Sequence, residues 1–143
     1  MLPIALIAIL VSILQFTAVS FARIGPHTLN LQIITLVFFS LRYGLRTGLA
    51  LGLFFGVFNG LVGAAPVFTN IITYLLIGSS TGYIGRWFYK ESLMAFLFLV
   101  LCSLAAIYFI NIPASFFRLF MPAVIYNLAI SAFLFFFLRE LKV

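Results

Sequence analysis

The sequence predicts an all-α polytopic membrane protein with about six transmembrane helices and both termini in the cytoplasm. Of the 143 residues, 66% are hydrophobic and only 7% are charged, and the mean hydropathy is +1.32. Soluble domains carry about a quarter charged residues, so this composition excludes a water-soluble fold. At roughly 20 apolar residues per span, the length accommodates about six spans with very short loops. We therefore predict a single integral membrane domain over residues 1–143.

Interruptions in the hydropathy delimit the individual helices. They predict helices over residues 3–22, 27–41, 46–63, 66–85, 92–111 and 117–138. The first segment lacks the basic start and short apolar core of a signal peptide, so we interpret it as a retained helix. The second, at about fifteen residues, is shorter than a 30 Å hydrocarbon core requires. It must therefore lie parallel to the membrane normal, thin the bilayer locally, or form a re-entrant segment that enters and leaves the membrane on the same side.

The basic residues predict the orientation, because Lys and Arg concentrate in cytoplasmic loops. With six spans, only Arg23 and Arg118 lie on the outer side, and the opposite side holds Arg42, Arg46, Arg86, Lys90, Arg139 and Lys142. This asymmetry places both termini in the cytoplasm. The net charge of +6 is spread singly over the ends of apolar runs, so it does not indicate a nucleic-acid partner.

Glycine recurs every fourth residue in the stretch "GLRTGLALGLFFGVFNG", at Gly44, Gly48, Gly52, Gly56 and Gly60. Residues four apart share one side of a helix, and small residues in a membrane helix let another backbone approach closely. A second, shorter small face follows at Gly78, Gly82 and Gly85. We predict a packing face here, filled either by the fourth helix of the same chain or by a helix of a partner protein.

Residues able to carry chemistry are scarce. The only two acids, Glu91 and Glu140, lie beside Lys90 and Arg139 at helix ends, and the lone His27 follows a proline at the start of the second predicted helix. Without a pair of acids or a cluster of metal ligands, acid–base catalysis and metal binding have no basis. We predict no catalytic, cofactor or metal site, and a protein that is not an enzyme.

Amide side chains are the remaining polar groups within the apolar segments. Asn59, Asn70 and Asn111 fall in the outer half of a six-span arrangement and Asn127 nearer the middle, whereas Gln15, Asn30 and Gln32 lie closer to the N-terminus. Polar side chains in a membrane normally face the bundle interior and find partners there. We predict intramembrane polar contacts at Asn59, Asn70 and Asn127, either between helices or to a ligand or partner.

The order of these features resembles the MreD family, the small rod-shape-determining membrane protein of bacterial cell-wall elongation. The resemblance covers residues 25–140 and rests on "GPHTLNLQIITLVFFSLRYG", "GLALGLFFGVFNGLVGA", "ITYLLIGSSTGYIGRWFYKES" and the closing "FLRELKV". Family members often have aspartate after the proline of the second helix and near the end of the third. This sequence has His27 and Asn59 at those positions.

The resemblance implies a fold similar to the substrate-binding subunits of energy-coupling-factor transporters. It also implies a non-enzymatic role in the bacterial inner membrane, beside MreC and other membrane proteins of the elongation complex. We therefore expect a scaffold, surrounded by lipid, that helps maintain rod shape. The alternative is a membrane subunit that captures a vitamin or metal for transport, which would enclose a polar pocket with aromatic walls.

Overall fold

A computed structural model describes residues 2–17, 30–62, 66–87, 92–111 and 116–140. Within these ranges the chain forms six α-helices, so the all-α fold class is confirmed. They are α1 (Leu2–Phe16), α2 (Leu31–Tyr43), α3 (Leu45–Val62), α4 (Val67–Ile84), α5 (Leu93–Asn111) and α6 (Phe116–Glu140).

Three of the described segments are long and apolar enough to cross a membrane. They are α3, α4 and the part of α6 from Met121 to Glu140. Shorter apolar helical segments are formed by α1, α2 and Leu93–Ile107 of α5. These lengths and compositions indicate a membrane protein, whereas the number of spans and the side on which the termini lie stay predictions.

The first two helices depart most from their predicted boundaries. α1 ends at Phe16, and both the amide and the hydroxyl of Thr17 donate to the carbonyl of Ile13, at 3.0 and 2.7 Å. Such threonine bonding to a preceding carbonyl competes with regular helix geometry. α2 begins at Leu31, after a non-helical Asn30. Residues 18–29 lie outside the described ranges, and with them the predicted helix start at His27.

The short second helix is explained by its burial. α2 has 13 residues, which corresponds to about 20 Å of helix. Every residue from 32 to 41 is buried, and a helix that is enclosed on all sides belongs to a protein core. Because protein rather than lipid surrounds these side chains, α2 does not have to match the hydrocarbon thickness by itself. Hydropathy alone does not distinguish these two environments.

The chain divides into two compact units. One comprises Met1–Ile34 and Leu97–Val143, and the other comprises Thr35–Phe96. We call the first the amide unit, after its amide side chains Gln15, Gln32 and Asn127, and the second the glycine unit, after the glycines of α3 and α4. The single membrane domain over residues 1–143 stays a prediction.

Aromatic side chains form much of the core of the glycine unit. The rings of Phe38 and Phe96 meet edge to face with centroids 6.0 Å apart, and Phe55 lies 6.5 Å from Tyr74. Phe38, Phe55 and Phe96 are all buried. Edge-to-face contacts are a favourable geometry for aromatic pairs, so these rings fix how α2, α3, α4 and α5 meet inside this unit.

Candidate functional site

The glycine face of α3 lies directly against the backbone of α4. A Cβ atom built at Gly52 would lie 2.6 Å from the carbonyl oxygen of Tyr74, and one at Gly56 would lie 2.6 Å from the Cα of Ile71. Real Cβ atoms essentially never approach that closely. Only glycine therefore fits at these positions without a shift of one helix.

The same contact continues toward both ends of α3. A Cβ at Gly60 would lie 2.7 Å from the Cα of Val67. Gly48 and Gly78 face each other so closely that a Cβ on either would overlap the carbonyl oxygen of the other. Positions 48, 52, 56 and 60 of α3 thus meet positions 78, 74, 71 and 67 of α4, which is the register of two antiparallel helices.

We define the glycine seam as Gly48, Gly52, Gly56, Gly60, Gly78 and Gly82, the residues that the spacing predicts as a packing face. Gly82 completes it, since its Cβ would lie 2.8 Å from the Cα of Leu45. The groove is filled by α4 of the same chain. Of the two alternatives that the spacing left open, the structure contains the intramolecular one, and a partner helix has no access to this face while α4 occupies it.

Gly44 belongs to the periodic pattern but forms a turn. Its φ of 85° is a left-handed conformation that side chains rarely adopt. Its amide donates to the carbonyl of Ser40 at 2.8 Å, and its own carbonyl accepts from the amide of Gly48 at 3.1 Å. One residue thus ends α2 and starts α3, as glycine commonly does at a helix C-terminus.

A cavity of about 460 Å³ opens beside this turn, at one end of the glycine seam. It is lined by Leu41 and Tyr43 of α2, by residues 44–46, and by Gly85 and Arg86 after α4. The side chains of Arg46 and Arg86 are exposed. In the described part of the chain neither arginine pairs with a carboxylate. In the sequence the two arginines indicate only orientation, because residues 40 positions apart show no shared motif.

In the amide unit, polar side chains cap the start of α2. The amide of Asn30 donates to Oδ1 of Asn127 at 2.8 Å, and the amide of Leu31 donates to Oε1 of Gln15 at 2.8 Å. Oδ1 of Asn30 in turn accepts from the amide of Ile33 at 3.2 Å. The first amides of a helix have no partner within the helix, so these side chains satisfy donors that would otherwise be costly inside a membrane.

Further buried groups extend this arrangement. Nε2 of Gln32 donates to the hydroxyl of Ser12 at 3.3 Å, and both residues are fully buried. Asn127, also fully buried, donates through Nδ2 to the carbonyl of Ala123 in its own helix at 2.9 Å. We define the amide cluster as Ser12, Gln15, Asn30, Gln32 and Asn127.

Of the three asparagines predicted to make polar contacts, only Asn127 belongs to the amide cluster. In the glycine unit, Asn59 donates to the carbonyl of Phe55 at 2.8 Å and Asn70 donates to the carbonyl of Pro66 at 3.4 Å. Both acceptors lie four residues back, so these bonds are local. The side chain of Asn111 lies outside the described set. Asn127 thus meets amides near the N-terminus, a grouping that the sequence does not indicate.

The remaining candidate chemistry is dispersed. Among the described residues, no three His, Cys, Asp or Glu side chains come close enough to hold a metal ion. His27 and Glu91 lie outside the described ranges, and Cys102 is exposed. The hydroxyl of Ser40 is buried without a hydrogen-bond partner in the described structure.

Comparison with family models, with curated proteins and with solved structures finds no match. The resemblance to the MreD family therefore rests on the order of features in the sequence.

Proposed function

We propose that this chain is a non-enzymatic scaffold of the bacterial inner membrane that binds MreC and helps maintain rod shape within the elongation machinery. The resemblance of residues 25–140 to the MreD family names the partner and the process. The proposal further assigns six spans to the chain and places both termini in the cytoplasm, following the distribution of basic residues.

The observation that carries the choice of a scaffold is how the side chains of the amide cluster are used. Asn127 and Gln15 accept hydrogen bonds from the first amides of α2, and Gln32 donates to Ser12. These hydrogen bonds connect α2 to α1 and to α6. A transporter subunit would instead direct such groups into a cavity, where they would fix the orientation of a ligand.

The glycine seam adds support, because it holds α3 and α4 together closely within the glycine unit. Because α4 already fills the groove of α3, the surface that contacts MreC must lie elsewhere on the chain. Closely packed backbones leave little freedom for relative sliding, and interiors packed this tightly transmit strain rather than absorb it. A rigid helix pair within the glycine unit suits a protein that positions other membrane proteins.

Copurification tests the proposal. The tagged chain is isolated in mild detergent from bacterial membranes, and mass spectrometry measures both bound proteins and bound small molecules. We expect MreC to be enriched over an unrelated polytopic protein carrying the same tag. A vitamin or metal recovered in a one-to-one ratio, with MreC at the level of that control, would overturn the scaffold in favour of the transporter subunit.

Cysteine labelling tests the orientation in a background where Cys102, which is exposed, is replaced by alanine. Tyr43 and Leu61 are exposed and lie near opposite ends of α3. A membrane-impermeant thiol reagent applied from outside should modify Leu61→Cys and not Tyr43→Cys. The reverse pattern would contradict cytoplasmic termini.

A further inference from the structure

The cavity beside the Gly44 turn has the size and the charge of a binding site for an anion. Its volume of about 460 Å³ lies in the range of small-molecule sites. Arg46, at the start of α3, and Arg86, in the segment after α4, both line it, so two separate parts of the glycine unit contribute a basic residue to its wall. A Cβ built at Gly44 would meet nothing within 4 Å, which shows that this side of the cavity is open.

Among the described residues, neither arginine of the cavity pairs with a carboxylate. The whole sequence holds only two acids against eight Lys and Arg. An anion that contacts both guanidinium groups would supply the counter-charge through charge-assisted hydrogen bonds.

The surroundings of the cavity favour an amphiphile over a free ion. The apolar part of the cavity wall is formed by Leu41, Tyr43 and Leu45. Along α3, Leu49 and Leu53 follow Leu45 at intervals of four residues, and both are exposed. Residues four apart lie on one side of a helix, so an apolar stripe leads away from the arginines along the outside of α3. Such a stripe can carry an acyl chain whose charged end remains at the cavity.

We propose that this cavity binds the phosphate of an anionic phospholipid, with the guanidinium groups of Arg46 and Arg86 as its ligands and an acyl chain lying along Leu49 and Leu53. Arginine suits this role because its planar donors match phosphate oxygens. The site does not depend on MreC, and it can be tested on the purified chain whether or not the scaffold proposal holds.

The experiment measures lipid preference. The full chain is purified in detergent, and native mass spectrometry gives the relative affinities for phosphatidylglycerol and phosphatidylcholine. The variants are Arg46→Gln, Arg86→Gln and the double substitution. Arg42→Gln is the matched control. Arg42 carries the same charge and lies in the last turn of α2, the helix end next to the cavity, but it does not line the cavity. Circular dichroism of each variant verifies that the helices are retained.

We expect the preference for phosphatidylglycerol to fall about fivefold in each single variant and about 25-fold in the double variant, which corresponds to about 1 kcal/mol per basic residue. The preference should be unchanged in Arg42→Gln. An equal loss in all three single variants would show diffuse attraction and overturn the site, as would full preference in the double variant. Excess inorganic phosphate should not abolish the preference. If it does, the cavity takes free phosphate and the assignment to a lipid is wrong.

Discussion

The glycine unit and the amide unit hold their helices together by different means. In the glycine unit, α3 and α4 touch backbone to backbone, with no side chain between Gly48 and Gly78. In the amide unit, Gln15 and Asn127 reach the start of α2 through hydrogen bonds of 2.8 Å. Helices in lipid gain little from the hydrophobic effect, so close packing and hydrogen bonding are the available sources of association.

The two contacts should fail in opposite ways. The glycine seam has no space for an added atom, so it is disrupted when a side chain is enlarged. The amide cluster depends on paired donors and acceptors, so it is disrupted when a polar group is removed. Substitutions that add atoms to the first and remove polar atoms from the second therefore test the comparison directly.

The largest effect is expected for Gly52→Leu. The new side chain would begin 2.6 Å from the carbonyl oxygen of Tyr74, so α3 and α4 must separate. We expect a loss of about 3 kcal/mol in the free energy of unfolding, at the upper end for overpacked sites. Far-UV circular dichroism during unfolding by sodium dodecyl sulfate in mixed micelles measures this value.

Ala50→Leu is the control for Gly52→Leu, because Ala50 lies on the same helix with its side chain exposed. It should change stability by less than about 0.5 kcal/mol. Equal stability of the two variants would mean that α3 and α4 do not touch at Gly52.

Asn127→Leu should have the next largest effect. The substitution removes the acceptor of the Asn30 amide while leaving that donor inside the bundle. We expect a loss of about 1.5 kcal/mol in stability, and faster hydrogen exchange at the amide of Asn30. Thr73→Val is the comparison, since the hydroxyl of Thr73 donates to the carbonyl of Thr69 in its own helix at 2.8 Å, and it should cost less than about 1 kcal/mol. A greater loss from Thr73→Val than from Asn127→Leu would reverse the assignment of the polar contact between helices.

Gly44→Ala separates backbone conformation from packing within the glycine unit. A Cβ at Gly44 meets no atom within 4 Å, but its φ is +85°. The expected loss of about 1 kcal/mol therefore comes from the left-handed backbone alone. Asparagine tolerates this conformation better than alanine, so thermal unfolding should rank glycine above asparagine and asparagine above alanine. Alanine as stable as the wild type would show that the turn is not left-handed.

The smallest effect is expected for Ser40→Ala. The buried hydroxyl of Ser40 has no hydrogen-bond partner in the described structure, so its removal should change stability by less than about 0.5 kcal/mol. Ser131 is equally buried but donates to the carbonyl of Asn127 at 2.6 Å. Ser131→Ala should cost about 1 kcal/mol. A large loss from Ser40→Ala, measured in the same unfolding assay, would reveal a contact of this hydroxyl outside the described residues.

The predictability of the two units differs for a physical reason. The glycine face could be found from the sequence because a helix places every fourth residue on one side, and that spacing is local. The amide cluster could not, because Asn30 and Asn127 are 97 positions apart and each is an isolated amide in an apolar run. No periodicity connects such residues, and the outer asparagines were an equally reasonable grouping.

The start of α2 and the cavity show the same limit. The sequence predicts that α2 starts at residue 27, directly after Pro26. The helix starts at Leu31 instead, where side chains from other helices accept hydrogen bonds from its first amides. In the sequence Arg46 and Arg86 are separate orientation signals, because only the fold brings the start of α3 next to the end of α4.

Hydropathy and residue spacing by themselves determined that the chain is all helical, that it has membrane-type helices and that α3 carries a packing face, since each of these properties depends on residues within one helix. The tertiary structure decided that α4 fills that face, that α2 is enclosed by protein, and which amides cap its start. These outcomes depend on contacts between distant segments. Many pairings of apolar helices satisfy the same hydropathy, and they differ only in how closely the backbones fit and whether each buried donor finds an acceptor.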